Sequence, residues 1–216
     1  MRLRIHFHKT EAMRFTGHLD LHKAWERTLR RAELRLAYSQ GFHPQPRINL
    51  ACALPLGFTS ECELVDIWLE DEMPVDQIQI QLMPALPPGI MITHVEDIPL
   101  SAPSLQTQVV AVEYSITYLD PIPGKGPMPA ELLSAETLPR ERRGKAYDLR
   151  PLIEALEVRP PALDGCAHWF VRLAAREKAT GRPEEVVAAL GLDPSAARYH
   201  RTRLILLENQ PSPAAS

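Results

Sequence analysis

Leu21, Trp25, Leu29, Ala32 and Leu36 recur in steps of three and four, while the apolar residues on either side recur in steps of two. A stripe that lines one face of a helix, set between runs that line one face of a strand, narrows the folds open to this chain more than any other feature. On the N-terminal side, Leu3, Ile5 and Phe7 share one face, and Arg2, Arg4, His6 and His8 share the other. That pattern predicts a half-buried strand whose polar face is basic or titratable. The helix is capped by Thr16 or Gly17 and is expected to run to the Tyr38–Pro44 segment. There Gly41 would end it in a left-handed conformation, and Pro44 and Pro46 forbid its resumption.

Beyond the helix, Ile48, Leu50, Cys52 and Leu54 alternate up to a Pro55-Leu56-Gly57 turn. Residues 62–70 form another strand, with Val65, Ile67 and Leu69 on one side and Asp66 and Trp68 on the other. Val75, Ile78, Leu82 and Leu86 make a second helical stripe, and residues 90–98 a further strand. The first half therefore reads β-α-β-β-α-β. Residues 99–107, PLSAPSLQT, have the composition of a linker.

The second half repeats the cadence without a residue-level repeat. Residues 110–118 alternate strictly, and PIPGKGP at 121–127 is turn-rich. A short helix is expected over 130–136, a short strand over 145–149 and a small helix over 151–158. A strand over 166–174, a helix over 183–190 and a strand over 199–207 follow. A four-stranded antiparallel sheet carrying two helices satisfies each half. The expected fold is α+β, with two tandem ferredoxin-like domains at 1–107 and 108–216.

No run of about 18 apolar residues occurs, so no membrane span is expected. The alternating, charged N-terminus is unlike a signal peptide. Cys52, Cys62 and Cys166 form no CxxC pair and read as buried thiols of a cytoplasmic protein. Net charge is −3 but unevenly placed. Residues 1–50 carry ten Lys/Arg against four Asp/Glu, residues 51–136 carry one against thirteen, and the remainder thirteen against ten. A basic segment beside an acidic one suits an anionic partner, or mutual neutralisation.

The residues around the end of the first helix carry most of the chemistry. Tyr38 and Phe42 could stack on bases, Arg27, Arg30, Arg31, His43 and Arg47 could meet phosphates, and Gly41 would let the backbone approach closely. The bland reading is a solvated helix face followed by a turn whose aromatics plug the core. A second basic group, Arg140, Arg142, Arg143, Lys145 and Arg150, surrounds Tyr147 and Asp148, with Asp148 free to pair with Arg143 or Arg150. Arg201 and Arg203 share a face of the last strand by spacing. His6, His8, His18, His22 and Asp20 include zinc-type ligands, but HxxxH without the glutamate of HExxH assigns no metal. No cofactor motif or nucleophile–base pair is present, and His43 and His18 are the only acid–base candidates. Asp66 reads equally as a buried partner of an arginine or as a general acid.

The stretches GHLDL (17–21), ERTLRRAELRLAYSQGFHPQPRINLACALPLGFTSECE (26–63) and Asp66 resemble the bacterial radical-SAM-linked protein family, whose function is unknown. AYSQGF-x-P-x-P-R is the specific part, with His43 where the family usually has Asn. The likeness covers residues 1–120 and continues more weakly through ERRGKAYDLRPLIEALEV and RTRLILLE. It implies a partner, since family members are often encoded beside, or fused behind, a B12-binding radical SAM protein. The chain lacks CxxxCxxC and so cannot hold a radical SAM cluster itself. The resulting expectation is a non-enzymatic accessory module that binds RNA in its modification or processing. The alternatives are a protein-docking module for the radical SAM enzyme and a metal-independent endoribonuclease.

Overall fold

The computed structural model describes residues 1–122, 129–142, 144–161, 165–176 and 179–207. The chain divides into two compact units, Met1–Gln108 and Val109–Ser216. The first contains β1 (Arg2–Lys9), α1 (His18–Arg31), β2 (Ile48–Leu50), β3 (Phe58–Trp68), α2 (Val75–Leu82), β4 (Ile90–Asp97) and the single-turn α3 (Leu105–Gln108). Its strands are ordered β2-β3-β1-β4, each antiparallel to its neighbour. Leu3, Ile5 and Phe7 of β1, Val65 and Ile67 of β3, Leu21, Trp25 and Leu29 of α1, and Ile78 and Leu82 of α2 form one core. Each large side chain buried there contributes about 1.5–3 kcal/mol before entropy.

The other face of β1 is not the exposed basic face that alternation predicted. Arg2 and Arg4 are 1 % and 7 % exposed, and both close on the fully buried Asp66 of β3. Arg2 Nη2 lies 2.6 Å from Asp66 Oδ2 and Arg4 Nε 2.9 Å from Oδ1. Register explains the meeting, because Arg4 is the direct cross-strand partner of Asp66 and Arg2 that of Trp68. Arg2 also donates to the carbonyls of Ala102 and Pro103 at 2.6 and 2.8 Å. The stretch with linker composition is therefore fastened down, and Leu105 within it is fully buried.

α1 is shorter than predicted. It begins at Gly17, whose carbonyl accepts from Leu21 N at 2.9 Å, and it ends at Arg31, well before Gly41. Glu33 adopts φ 56°. Its N–H donates to Arg30 O at 3.1 Å, and Leu34 N–H to Leu29 O at 3.2 Å. This is the two-bond Schellman stop, with glutamate where glycine usually stands. Leu34 is buried beside the last turn, and Leu36, expected on the helix, sits in an extended segment bridged to Leu69. The three- and four-residue spacing persists past the stop, so periodicity alone overran it.

The second unit contains β5 (Val109–Tyr118), α4 (Pro129–Ser134), β6 (Pro139–Arg142), β7 (Lys145–Asp148), β8 (Ile153–Arg159), β9 (Ala167–Arg176), β10 (Ala179–Thr180), α5 (Pro183–Ala189) and β11 (Ala197–Leu206). Its main sheet runs β8-β9-β5-β11 with antiparallel pairing, β10 adds to β9, and β6 and β7 form a separate hairpin. The helix expected over 151–158 is a short 3-10 turn followed by β8. Ile153 and Leu156 are both buried although three apart, because the β8–β9 register shifts between Ile153 and Ala155. A bulge thus mimics helical spacing. A second bulge separates Arg201 from Arg203 in β11. Arg201 is buried against Tyr114, while Arg203 is exposed, so the two do not form the predicted patch. The three cysteines are free and only partly buried, not fully buried as expected. Most of PIPGKGP, and Arg143, lie outside the described residues. Among those described, the fold is α+β with five α-helices and antiparallel sheets, and no helix is long and apolar enough to cross a membrane.

Candidate nucleic-acid interface

After the stop at Glu33 the chain runs extended, turns, and returns to β2. Ala37 N–H donates to Trp68 O at 2.8 Å, Trp68 N–H to Arg47 O at 3.1 Å, and Arg47 N–H to Ala37 O at 2.9 Å. Tyr38 and Pro46 bridge, Ser39 N–H donates to Gln45 O at 2.8 Å, and Gln45 N–H donates to Ser39 Oγ at 3.0 Å. Residues 36–48 are therefore a narrow two-stranded ribbon rooted on the end of β3. Gly41 belongs to its turn with φ 133° and does not cap the helix. A Cβ added to Gly41 would meet nothing within 4 Å, so this backbone is open to an approaching partner.

The ribbon does not plug the core. Phe42 is 102 % exposed and Tyr38 41 %, and the whole stretch from Tyr38 to Gln45 is exposed. Phe42 therefore presents a large apolar ring to solvent at the turn.

The arginines divide. Arg30 pairs with Glu26 at 2.7 Å, and its Nη2 reaches the Tyr38 hydroxyl at 3.5 Å, so the end of α1 and the ribbon meet there. Both contacts hold the Arg30 pKa above its ordinary value, the Tyr38 hydrogen bond foremost. Arg47 lies with its guanidinium 4.5 Å from the centroid of Trp68, and Arg2 lies over the same ring at 4.9 Å. Arg27 is exposed one turn before Arg30 and Arg31. Arg31 donates to Ala85 O at 2.6 Å and thereby ties α1 to the turn after α2. Cations in the last turn also complement the helix dipole, a structural role for Arg30 and Arg31. Arg35 is taken by Glu70 and Asp71 at 2.9 and 3.2 Å. Part of the acidic middle of the chain thus neutralises part of its basic start.

Trp68 is the residue that sequence reasoning underweighted. It anchors the ribbon by two backbone hydrogen bonds and stacks with two guanidiniums. Its signal was present, as an aromatic placed on the polar side of β3 beside Asp66.

Of the remaining candidates only His43 belongs to the ribbon. His18 stands in the first turn of α1, about 18 Å along the axis from Arg30. His43 is exposed on the ribbon turn. The proposed zinc-type set is split. His6 Nε2 contacts Glu96 at 2.9 Å, whereas His22 Nε2 contacts Ile48 O at 3.3 Å. No group of three or more His, Cys, Asp or Glu side chains is arranged for a metal among the described residues. In the second basic group, Arg142 grips Glu185 through Nε and Nη2 at 3.0 and 2.6 Å and lies 4.8 Å over Tyr147. Asp148 accepts from the backbone N–H groups of Leu138 and Arg150, while the Arg150 guanidinium donates to the carbonyls of Leu133 and Ile153. Its described members Arg140, Arg142 and Lys145 lie on a stitched hairpin.

Among solved structures, the chain is similar to one in "Crystal Structure of a Cbf5-Nop10-Gar1 Complex", with 10% identity and a TM-score of 0.48. It is also similar to one in "Crystal structure of the archaeal box H/ACA sRNP Nop10-Cbf5 complex", with 11% identity and a TM-score of 0.45. Each likeness covers 94% of this chain and 48% of the other, so this chain spans about half the length of those it matches. Comparison with curated proteins gives no match. The family model described as "Uncharacterized protein conserved in bacteria (DUF2344)" matches residues 2–183, most of the chain, and the chain belongs to that family.

Proposed function

We propose that this protein is a non-enzymatic accessory module that binds RNA, in the cytoplasm, for modification or processing by a radical SAM partner. The observation that carries the reading is the ribbon from Leu36 to Ile48, which holds Phe42 wholly in solvent at its turn and has Tyr38, Arg30 and Arg47 at its root. Aromatic faces for bases beside guanidiniums for phosphates are what RNA recognition needs. We read each unit as a ferredoxin-like domain, because both sheets place their strands in the order that two βα crossovers generate, and we place the domains at 1–107 and 108–216. The radical SAM partner rests on the resemblance carried by AYSQGFHPQPR. The test is RNA binding by the full chain across a salt series, with Arg27→Glu/Arg30→Glu as the variant. Binding by that variant equal to wild type at every salt would sink the reading.

A second reading, docking to the radical SAM protein without RNA contact, is favoured by a different surface. Phe15, Leu19 and Leu56 are 75, 75 and 62 % exposed. The segments carrying Phe15 and Leu56 are tied together, since Gly57 N–H donates to Arg14 O at 2.9 Å and Arg14 Nε to Gly57 O at 3.0 Å. Capture of the partner that survives nuclease treatment and is lost in Phe15→Ser/Leu19→Ser would favour it.

A further inference from the structure

The geometry points to an RNA site that selects unpaired nucleotides, with a single base stacked on Phe42; this rests on the RNA-binding reading above. Three observations carry it. First, Phe42 holds its ring wholly in solvent at the turn of this two-stranded projection of the backbone, with the smaller His43 ring exposed beside it. In an A-form duplex the base faces are covered by their neighbours and the major groove is too deep and narrow for side-chain reading. A ring presented this way therefore finds a free π-face only where a base is unstacked.

Second, the neighbouring aromatics are already engaged. Trp68 has two guanidiniums over its ring at 4.5 and 4.9 Å. The Tyr38 hydroxyl is held at 3.5 Å by Arg30, and its ring is only 41 % exposed. Beside Phe42 the turn exposes only the small His43 ring, so the site offers one full-sized free platform and not the row of platforms that binds a long stacked strand.

Third, the cations at the root of the same ribbon are held by short contacts. Arg47 is stacked on Trp68, and Arg30 is braced by Glu26 and Tyr38. Their guanidiniums keep further N–H groups for backbone phosphates of the strand whose base stacks on Phe42, with charge and geometry suited to phosphate oxygens. The bound species is thus a nucleotide in a loop, bulge or single-stranded end.

The experiment compares one labelled RNA sequence in three forms: free single strand, hairpin loop, and perfect duplex with its complement. Fluorescence anisotropy is read for the full-length chain, Phe42→Ala and Arg27→Glu/Arg30→Glu, with far-UV circular dichroism as the folding control. Phe42 is fully solvated, so its removal leaves the fold intact. The expected result is that single strand and loop bind at least about tenfold tighter than duplex. Phe42→Ala should weaken them by roughly five- to a hundredfold, the usual worth of one stacked base. That variant should retain the wild-type salt slope, because no cation is lost.

Equal binding of duplex and single strand overturns the inference. So does an unaffected Phe42→Ala when Arg27→Glu/Arg30→Glu has lost binding, and in that case RNA binding itself stands on charge alone. Absence of binding to all three forms by the wild type removes both this inference and the reading beneath it.

Discussion

Asp66 shows how much one residue's environment can differ from what its position in a pattern suggests. Alternation put Arg2, Arg4 and Asp66 on a polar strand face, and that much was legible. It could not show that the face is closed, because the closure comes from residues 99–104, which read as a linker and instead lie over Arg2. Two buried guanidiniums on one carboxylate make Asp66 the compensating charge for both. Asp66→Asn is expected to destabilise the first unit by about 3–5 kcal/mol, since it leaves those charges uncompensated. Urea unfolding followed by tryptophan fluorescence checks it, with Trp68 beside the cluster as reporter. A midpoint within error of wild type would mean that the cluster relaxes into solvent. Glu184, in the first turn of α5, is the opposite case. Its Oε2 is buried without a hydrogen-bond partner among the described residues, and burial raises its pKa. A raised carboxyl pKa means that the folded state holds the proton more tightly than the unfolded one. Ionisation then disfavours the fold. The penalty is absent below the ordinary carboxylate value of about 4.3, grows through the interval up to the folded value, and is complete above it. Glu184→Gln should therefore raise Tm at pH 7 and leave it unchanged below pH 4, and a gain of equal size at both pH values would exclude titration as its cause.

At the scale of elements, strands and helices followed from period and punctuation wherever the chain kept to a regular step. The misses sit where backbone geometry breaks that step. Bulges at Ile153 and at Arg201 moved side chains to the face opposite the one counted. The end of α1 was misplaced because glutamate, not glycine, takes the left-handed position, so no residue at 33 announced it. Gly41, which looked like the stop, is in the ribbon turn eight residues later. The consequence for the site is direct. If α1 ran on to Gly41, Tyr38 would be helical and no ribbon would exist to present Phe42. A non-glycine residue at φ 56° carries roughly 1–2 kcal/mol of steric cost. Glu33→Gly removes it at the expense of unfolded-chain entropy, for a net gain of about 0.5–1 kcal/mol. Thermal unfolding of the full chain should show a higher Tm with RNA affinity unchanged. A fall in Tm would show that the Glu33 side chain contributes more than its backbone strain costs.

For the whole molecule the deciding quantity is charge, and its mean misleads. A chain of net charge −3 with a pI near 6.2 has no general attraction for polyanions. Any RNA affinity must come from a few local cations, and the structure shows why they are few. Arg2 and Arg4 are buried on Asp66, Glu70 and Asp71 take Arg35, and Glu185 takes Arg142. At the end of α1 and the ribbon this leaves Arg27, Arg47 and Arg30, whose single exposed pair with Glu26 competes less than the two carboxylates on Arg35. Three phosphates neutralised on a single strand, at about 0.7 counterion each, predict a slope of log affinity on log salt near −2. Removing two of the three in Arg27→Glu/Arg30→Glu should bring the slope to about −0.7 or closer to zero, with a loss of affinity that is largest at low salt. The stitched hairpin of the second unit supplies the control: Arg140→Glu/Lys145→Glu should leave both slope and affinity at wild-type values. A wild-type slope much steeper than −2 would require more cations than the ribbon end holds. If the hairpin variant then lost binding while Arg27→Glu/Arg30→Glu kept it, the RNA would belong to the second unit, and the exposure of Phe42 would need another explanation.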